Sequence, residues 1–427
     1  MKKYKSMSDE EQQAELKLQN SRYEVFKSKN LSYDMTRGKP GADQLDISMA
    51  LLNDNLIGNG KDANGNDCRN YGLVDGIPEA RKLFGDILDV KPEQVIVSGN
   101  SSLNIMYDTI VRCLLFGAGP DLKTWASQGR IKFICPAPGY DRHFAICEQL
   151  GIDMITVELK EDGPDMDVVE KLVSEDSSIK GLWSIPKYSN PTGIVYSDKV
   201  VERLATMKTA ANDFRIFWDD AYSVHFLNNE PAKLRSILKA CEDAGNPDRP
   251  FVFTSTSKIT FPGAGISAMA ASKKCIEFFG KLINIQTIGP DKLNQLRHVR
   301  FLKDYNGIIE HMKKHAAILK PKFDAVLSIL NKELTGLDIA VWSNPEGGYF
   351  INIDTIDNCA TKIVKMSKNC GLLLTPAGAT FPYKKDPKDT NIRIAPTFPP
   401  LNQLGEAIEI MCICIKIVSL ESLLSIE

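Results

Sequence analysis

Residues 251–268 read FVFTSTSKITFPGAGISA, and this stretch decides the architecture. Phe251, Val252 and Phe253 read as the end of a buried strand. Small hydroxyl residues follow, then Lys258, then a Gly-rich turn around Pro262, Gly263 and Gly265. A charged amine just past a buried strand is costly to desolvate. Either the lysine snorkels to solvent on its alkyl stem, or its amine is kept neutral because it bonds covalently to something.

Working outward, short apolar runs alternate with helical stretches from Tyr71 to about residue 290. The runs are QVIVSG, IKFICP, DMITVEL, KGLWSIP, RIFWDDA and FVFTSTS, each ending in a small or turn-forming residue. That rhythm predicts βαβ units and a mostly parallel sheet, an α/β fold. A helical segment, IIEHMKKHAAILKPKFDAVLSILNKEL, comes next. GGYFINID, GLLLTPAG and TNIRIAP then suggest strands of a smaller α+β domain. Near the start, Ser8 and Glu11 make a capping box that opens an amphipathic helix through about Lys29. The expected division is 1–45 as an N-terminal segment of the small domain, 46–310 as the large domain, and 311–427 as the C-terminal small domain.

The 427 residues suffice for one large core or two domains. A net charge of −2 gives no electrostatic reason to expect nucleic acid or an anionic membrane. No apolar run is long enough for a bilayer, and MKKYKSMSDEEQQAELKLQN lacks the apolar core of a signal peptide. The C-terminal AIEIMCICIKIVSLESLL, interrupted by Glu409, Lys416 and Glu421, reads as a terminal helix on a core. Ten cysteines in mostly apolar settings, without paired CxxC motifs, predict a reduced, cytoplasmic protein without structural zinc. His311 and His315 are four apart, but no third ligand follows, so they read as a solvated helix face and no metal is expected.

Ligands of open α/β sheets gather at the carboxyl ends of strands, and the unusual residues cluster there. Gly99, Asn100, Ser101 and Ser102 open a helix whose free N–H groups suit an anion, or serve as a plain N-cap. Tyr140 could lie against a flat heterocycle, or simply pack. Asn190, before Pro191, could donate to a ligand oxygen or form an Asn-Pro turn. Asp219 follows an apolar strand and needs a cationic partner, with Tyr222 three positions on. Together with Lys258 they match pyridoxal phosphate. That cofactor needs a lysine for a Schiff base, an acid at the ring nitrogen, an aromatic on the ring and a phosphate cup.

From about Arg37 onward the chain resembles fold-type I pyridoxal-phosphate aminotransferases. The motifs fall in order: Gly99, Tyr140, Asn190 to Gly193 (NPTG), Asp219 to Tyr222, Ser257–Lys258, Gly347 to Phe350, and Arg393 in TNIRIAP. The segments RGKP, GNSSLN, PGYDRHF and TSTSKIT are similar to the divergent bacterial aspartate aminotransferase subgroup Ic. The resemblance implies a three-layer α/β/α large domain and a smaller α+β domain. It implies that Lys258 holds the cofactor and moves a proton, that Asp219 pairs with the ring nitrogen and that His143 orients Asp219. Asn190 and Tyr222 would bond the ring's phenolic oxygen, with Tyr140 stacked on the ring. Gly99, Asn100, Ser101, Ser102, Ser255 and Ser257 would hold the phosphate. Tyr71 would reach the phosphate of a neighbouring subunit in a homodimer. Arg393 would grip the substrate α-carboxylate, and Arg142, then Arg37 with Gly38, are candidates for a second carboxylate.

The family's PGxRxG places an arginine after the lysine, whereas this chain has PGAGIS, with glycine at that point. The expected activity is ping-pong amino transfer between L-aspartate or L-glutamate and their 2-oxo acids. Aromatic or aliphatic aminotransferases and β-lyases share the constellation. A non-catalytic cofactor-binding regulator is the alternative outside enzymes, disfavoured by the intact Lys258, Asp219 and Arg393.

Overall fold

The computed structural model describes residues 2–425. In chain order its strands are β1 Tyr33–Asp34, β2 Val95–Ser98, β3 Lys132–Ala137, β4 Asp153–Lys160, β5 Gly163–Pro164, β6 Ile179–Ser184 and β7 Arg215–Asp219. They continue with β8 Pro250–Ser255, β9 Ser267–Ala270, β10 Ala340–Trp342, β11 Ile351–Thr355, β12 Leu372–Leu373 and β13 Asn391–Ile394.

Eight strands form one sheet in the order β2-β9-β8-β7-β6-β3-β4-β5. The pairs from β8 across to β4 are parallel. β9 runs antiparallel between β2 and β8, and β5 closes the far edge antiparallel to β4. β6, β7 and β8 are buried along their whole length, as expected of parallel strands covered on both faces. Two apolar clusters account for that burial. One includes Phe133, Trp183, Phe217, Phe251 and Phe253. The other includes Ile134, Leu182, Ile216, Trp218 and Val252. Successive residues of one strand thus feed opposite cores, the period of two that a pleated strand imposes.

Both chain ends meet in a second unit. β1 pairs in parallel with β12, and β10, β11 and β13 form an antiparallel sheet. The helix Asp9–Lys27 packs on the C-terminal helix Leu401–Leu423, which also lies against the long helix Tyr305–Leu334. A charge cluster ties the three together: Glu333 accepts from Lys416 at 2.6 Å and from Arg22 at 3.1 Å. Lys416, read as an interruption of an apolar run, is therefore buried and paired.

The capping box forms as expected, Ser8 N–H to Glu11 Oε2 at 2.8 Å and Glu11 N–H to Ser8 Oγ at 3.3 Å. That helix ends at Lys27 rather than near Lys29, and its buried positions are Gln12, Gln19 and Tyr23 rather than an aliphatic stripe. His311 and His315 are a clear correction. They are buried at 5% and 1% exposure, in phase with Ile308, Met312 and Leu319 on the inner face of their helix. All ten cysteines are buried and free of disulfides. No helix among the described residues is long and apolar enough to cross a membrane, and none of their His, Cys, Asp and Glu side chains group as a metal site.

Candidate active site

The strand order lays out the site. β8, β7, β6 and β3 are consecutive neighbours, so the residues at or after their carboxyl ends, Lys258, Asp219, Asn190 and Tyr140, stand side by side although far apart in sequence. They line a cavity of about 940 Å³ together with Arg37, Gly38, Ser101, Ser102, Arg142, Tyr222, Ser255, Ser257 and Arg393. Gly99, Asn100 and Tyr71 lie outside this lining. The Gly99 carbonyl accepts from Ser267, the Asn100 amide is spent on the Pro262 carbonyl at 3.2 Å, and Tyr71 is 79% exposed.

Lys258 Nζ sits 4.8 Å from the centre of the Tyr222 ring. Desolvation lowers its pKa from the ordinary lysine value, and the Asp219 charge opposes that shift. Asp219, the last residue of β7, has no arginine partner among the described residues; its Oδ2 lies 3.0 Å from His143 Nε2. The His143 ring is stacked on Trp183, with centroids 4.0 Å apart and planes within 6°. The other oxygen, Asp219 Oδ1, is buried with no hydrogen-bond partner among the described residues. A buried carboxylate oxygen left open costs free energy unless a donor meets it. A protonated ring nitrogen is such a donor. Tyr222 is buried and its phenol is pushed above the ordinary tyrosine value by desolvation first, then by Tyr140 and Asp219. Tyr140 stands at the N-cap of the helix Asp141–Gln149, and burial pushes its hydroxyl up to about 12.

At the other end of the cavity the helix Ser102–Phe116 begins, with the Ser101 hydroxyl making no capping bond. Ser255 Oγ donates to Ser257 Oγ at 2.9 Å, and Ser257 Oγ to the Asn100 carbonyl at 3.2 Å. Hydroxyls beside a helix N-terminus suit a phosphate. With the neutralisable lysine and the open Asp219 oxygen, the donor set fits pyridoxal phosphate. The missing arginine has a steric counterpart. A Cβ at Gly265 would lie 2.9 Å from Thr256 Oγ1 and 3.0 Å from the Phe261 carbonyl. Asn294 further locks the turn through the Ala264 and Gly265 carbonyls.

Arg393, on β13, is 6% exposed. Its Nη1 donates to Asp141 Oδ1 at 3.0 Å and Asn190 Oδ1 at 3.2 Å, its Nε has no partner among the described residues, and its guanidinium lies 4.9 Å from the Phe350 ring centre. Sequence reasoning missed several lining residues, chiefly Asp141, Glu148, Lys39, Thr375 and Lys384. Asp141 lay between two residues already singled out, and only the partner of Arg393 reveals it. The lining carries six basic and three acidic side chains. Among the described residues Arg393 is paired with Asp141, whereas Arg37, Arg142 and Lys384 have no carboxylate within ion-pair distance.

Comparison with known proteins identifies the family. The aspartate amino-transferase family model matches residues 7–426. The chain is 44% identical to the aspartate aminotransferase of Corynebacterium glutamicum over 400 residues, 94% of this chain and 92% of the relative. A crystal structure of an aspartate transaminase from that organism superposes with a TM-score of 0.96 at 42% identity, covering 99% of both chains. The α-aminoadipate aminotransferase LysN of Thermus thermophilus, solved with N-(5'-phosphopyridoxyl)-L-leucine, shares the fold at TM-score 0.74 and 19% identity, over 93% of this chain and 94% of that one. A lysine, an open carboxylate and a hydroxyl cup at the ends of neighbouring strands, in a chain that matches from end to end, have one reading: the chain belongs to the aspartate amino-transferase family and is a pyridoxal-phosphate-dependent aminotransferase.

Proposed function

We propose that the enzyme moves the amino group between L-aspartate or L-glutamate and the corresponding 2-oxo acids, oxaloacetate and 2-oxoglutarate. The observation that carries this reading is the surplus of unpaired cations, Arg142 and Arg37 above all, in the same cavity as Arg393. Both are exposed in this structure and free to close on a second substrate carboxylate, which would cost several kcal/mol if it were buried unpaired.

In this reading Arg393 exchanges Asp141 for the substrate α-carboxylate, which it can hold as a bidentate fork. Arg142, assisted by Arg37 beside Gly38, takes the distal carboxylate. The bound cofactor supplies the electron sink that makes the substrate Cα proton acidic. Lys258, its amine kept available by desolvation, anchors the cofactor and then carries the Cα proton. Asp219, oriented by His143, holds the ring nitrogen protonated. Asn190 and Tyr222 would bond the cofactor's phenolic oxygen, and Tyr140 would pack against its ring. Ser101, Ser102, Ser255 and Ser257, which line the cavity, would form the phosphate end, whereas Gly99 and Asn100 lie outside it. Tyr71, exposed and outside its own cavity, serves the phosphate of a second subunit in a homodimer. The segments 1–45, 46–310 and 311–427 divide the chain into the large unit and a small unit built from both ends. Ten buried free thiols support a cytoplasmic location.

Steady-state rates with 2-oxoglutarate as acceptor test the substrate class. Aspartate should exceed phenylalanine and leucine by at least about 10²-fold in kcat/KM, the discrimination that a stranded polar partner imposes. Equal rates would reject the dicarboxylate reading, and pyruvate and ammonia formed without an acceptor would point to a lyase.

A further inference from the structure

Behind Lys258 lies a hydrogen-bond network that the chemistry above leaves unused. The Ile259 carbonyl, one peptide past the lysine, is 2.9 Å from His311 Nε2 and 2.9 Å from His315 Nε2. Ser48 Oγ reaches the same oxygen at 3.4 Å. A carbonyl only accepts, so both imidazoles carry their proton on Nε2. His315 Nδ1 is then an acceptor, and the Gln44 amide donates to it at 3.1 Å. The second Gln44 amide proton goes to Tyr349 OH at 2.9 Å, which leaves the Tyr349 hydroxyl to donate toward the Lys258 carbonyl at 3.5 Å. Gln44 Oε1 accepts from the Gly41 N–H at 3.2 Å, which fixes the orientation of the amide. Ser48 Oγ also lies 3.1 Å from His311 Nε2, and the bonds fix the Gln44 amide and the His315 tautomer. Gln44 is fully buried, and His315 and Tyr349 are each 1% exposed. Desolvation pushes His315 down to about 4, so it is neutral throughout the working range.

The other end of the network reaches the cavity wall. Gln44 lies in the short helix Ala42–Asp46, immediately after residues 36–40, which line the cavity. Phe350, next to Tyr349, fills the space beside Gly38, where a Cβ would come within 2.4 Å of its ring, and lies under Arg393. The dipeptide Tyr349–Phe350 thus contacts both the substrate wall and the lysine's peptide.

We propose that Gln44, with His315 and Tyr349, is a positioning set that couples the cavity wall 36–41 to the Lys258–Ile259 peptide, so that a ligand engaging the wall changes the setting of the lysine. The proposal rests on the assignment of Lys258 to the cofactor. The groups facing the Lys258 amine are Asp219, Tyr222, His225 and Tyr349. A shift of its position relative to them changes the pH midpoint of the visible band of the bound cofactor.

The test measures that midpoint in the holoenzyme with and without succinate, a dicarboxylate that lacks the reacting amine. Wild type should show a succinate-induced shift, and a midpoint that succinate leaves unmoved overturns the coupling. Gln44→Met should reduce the shift to about half or less while cofactor and succinate still bind, since a shift of the midpoint reads the lysine's environment directly. Tyr349→Phe, which removes only the hydroxyl, should reduce it in the same direction and serves if Gln44→Met folds poorly. Glu310→Gln, on the exposed face of the same long helix, should leave it unchanged. A full-sized shift in both Gln44→Met and Tyr349→Phe overturns the coupling and leaves a packing role. Absence of any visible band in wild type would instead refute the Lys258 assignment itself.

Discussion

Arg142 and Arg393 differ in what holds them. Arg393 is buried, and its guanidinium is paired with Asp141 and bonded to Asn190; Arg142 lines the cavity with no carboxylate in ion-pair distance among the described residues. Arg142 is exposed in this structure, but a bound dicarboxylate would cover it, and truncating one partner of a charge pair desolvated in that way costs about 2–5 kcal/mol. Arg142→Ala should therefore raise KM for aspartate by about 30-fold or more, with rates on phenylalanine unchanged or higher. Unchanged aspartate kinetics would move the distal role to Arg37 or Lys384. The residues found from sequence share one property, a polar group that needs a reason: Lys258, Asp219, Tyr222 and Asn190 follow or end an apolar run, and Arg393 interrupts one. Asp141 and Lys384 had no such contrast, since they stand among polar or turn residues, and only their neighbours in space give them meaning.

At the scale of the element, the turn after Lys258 shows why the arginine of the related motif is absent. Thr256 Oγ1 and the Phe261 carbonyl occupy the room that a side chain at 265 would need, and Thr256 Oγ1 accepts the Ile266 N–H there at 3.0 Å. Gly265→Arg should not restore phosphate binding. It should destabilise the protein by about 1–3 kcal/mol through overpacking, seen as a lower urea midpoint with no gain in cofactor affinity. A tighter cofactor complex at unchanged stability would show that the turn opens freely. The long helix teaches a related lesson. Ile308, His311, Met312, His315 and Leu319 recur at helical spacing, so the buried stripe containing both histidines was legible. Two polar rings read as solvated because their acceptor, the Ile259 carbonyl, comes from a distant strand end.

For the whole molecule, the alternation of strands and helices announced the parallel sheet, and each of the six apolar runs became a strand. The antiparallel insertion of β9 between β2 and β8 was not legible, because strand order depends on long-range pairing that leaves no local pattern. Assembly is read from Tyr71, which is exposed and outside its own cavity. If sites are shared between subunits, mixing Lys258→Ala with Tyr71→Ala protein under conditions of subunit exchange should restore activity. One site of the mixed dimer would then combine an intact lysine with an intact tyrosine. No recovery on mixing, with exchange confirmed, would contradict the shared site.

The most direct test of amino transfer through Lys258 is an absorbance titration of the holoenzyme with L-aspartate, followed by 2-oxoglutarate. Aspartate should bleach the visible band of the bound cofactor, and 2-oxoglutarate should bring it back, one half of the exchange each. A visible band that aspartate leaves untouched would contradict the proposed dicarboxylate substrate and the role of Arg142. The absence of any band after addition of pyridoxal phosphate would contradict the reading of Lys258.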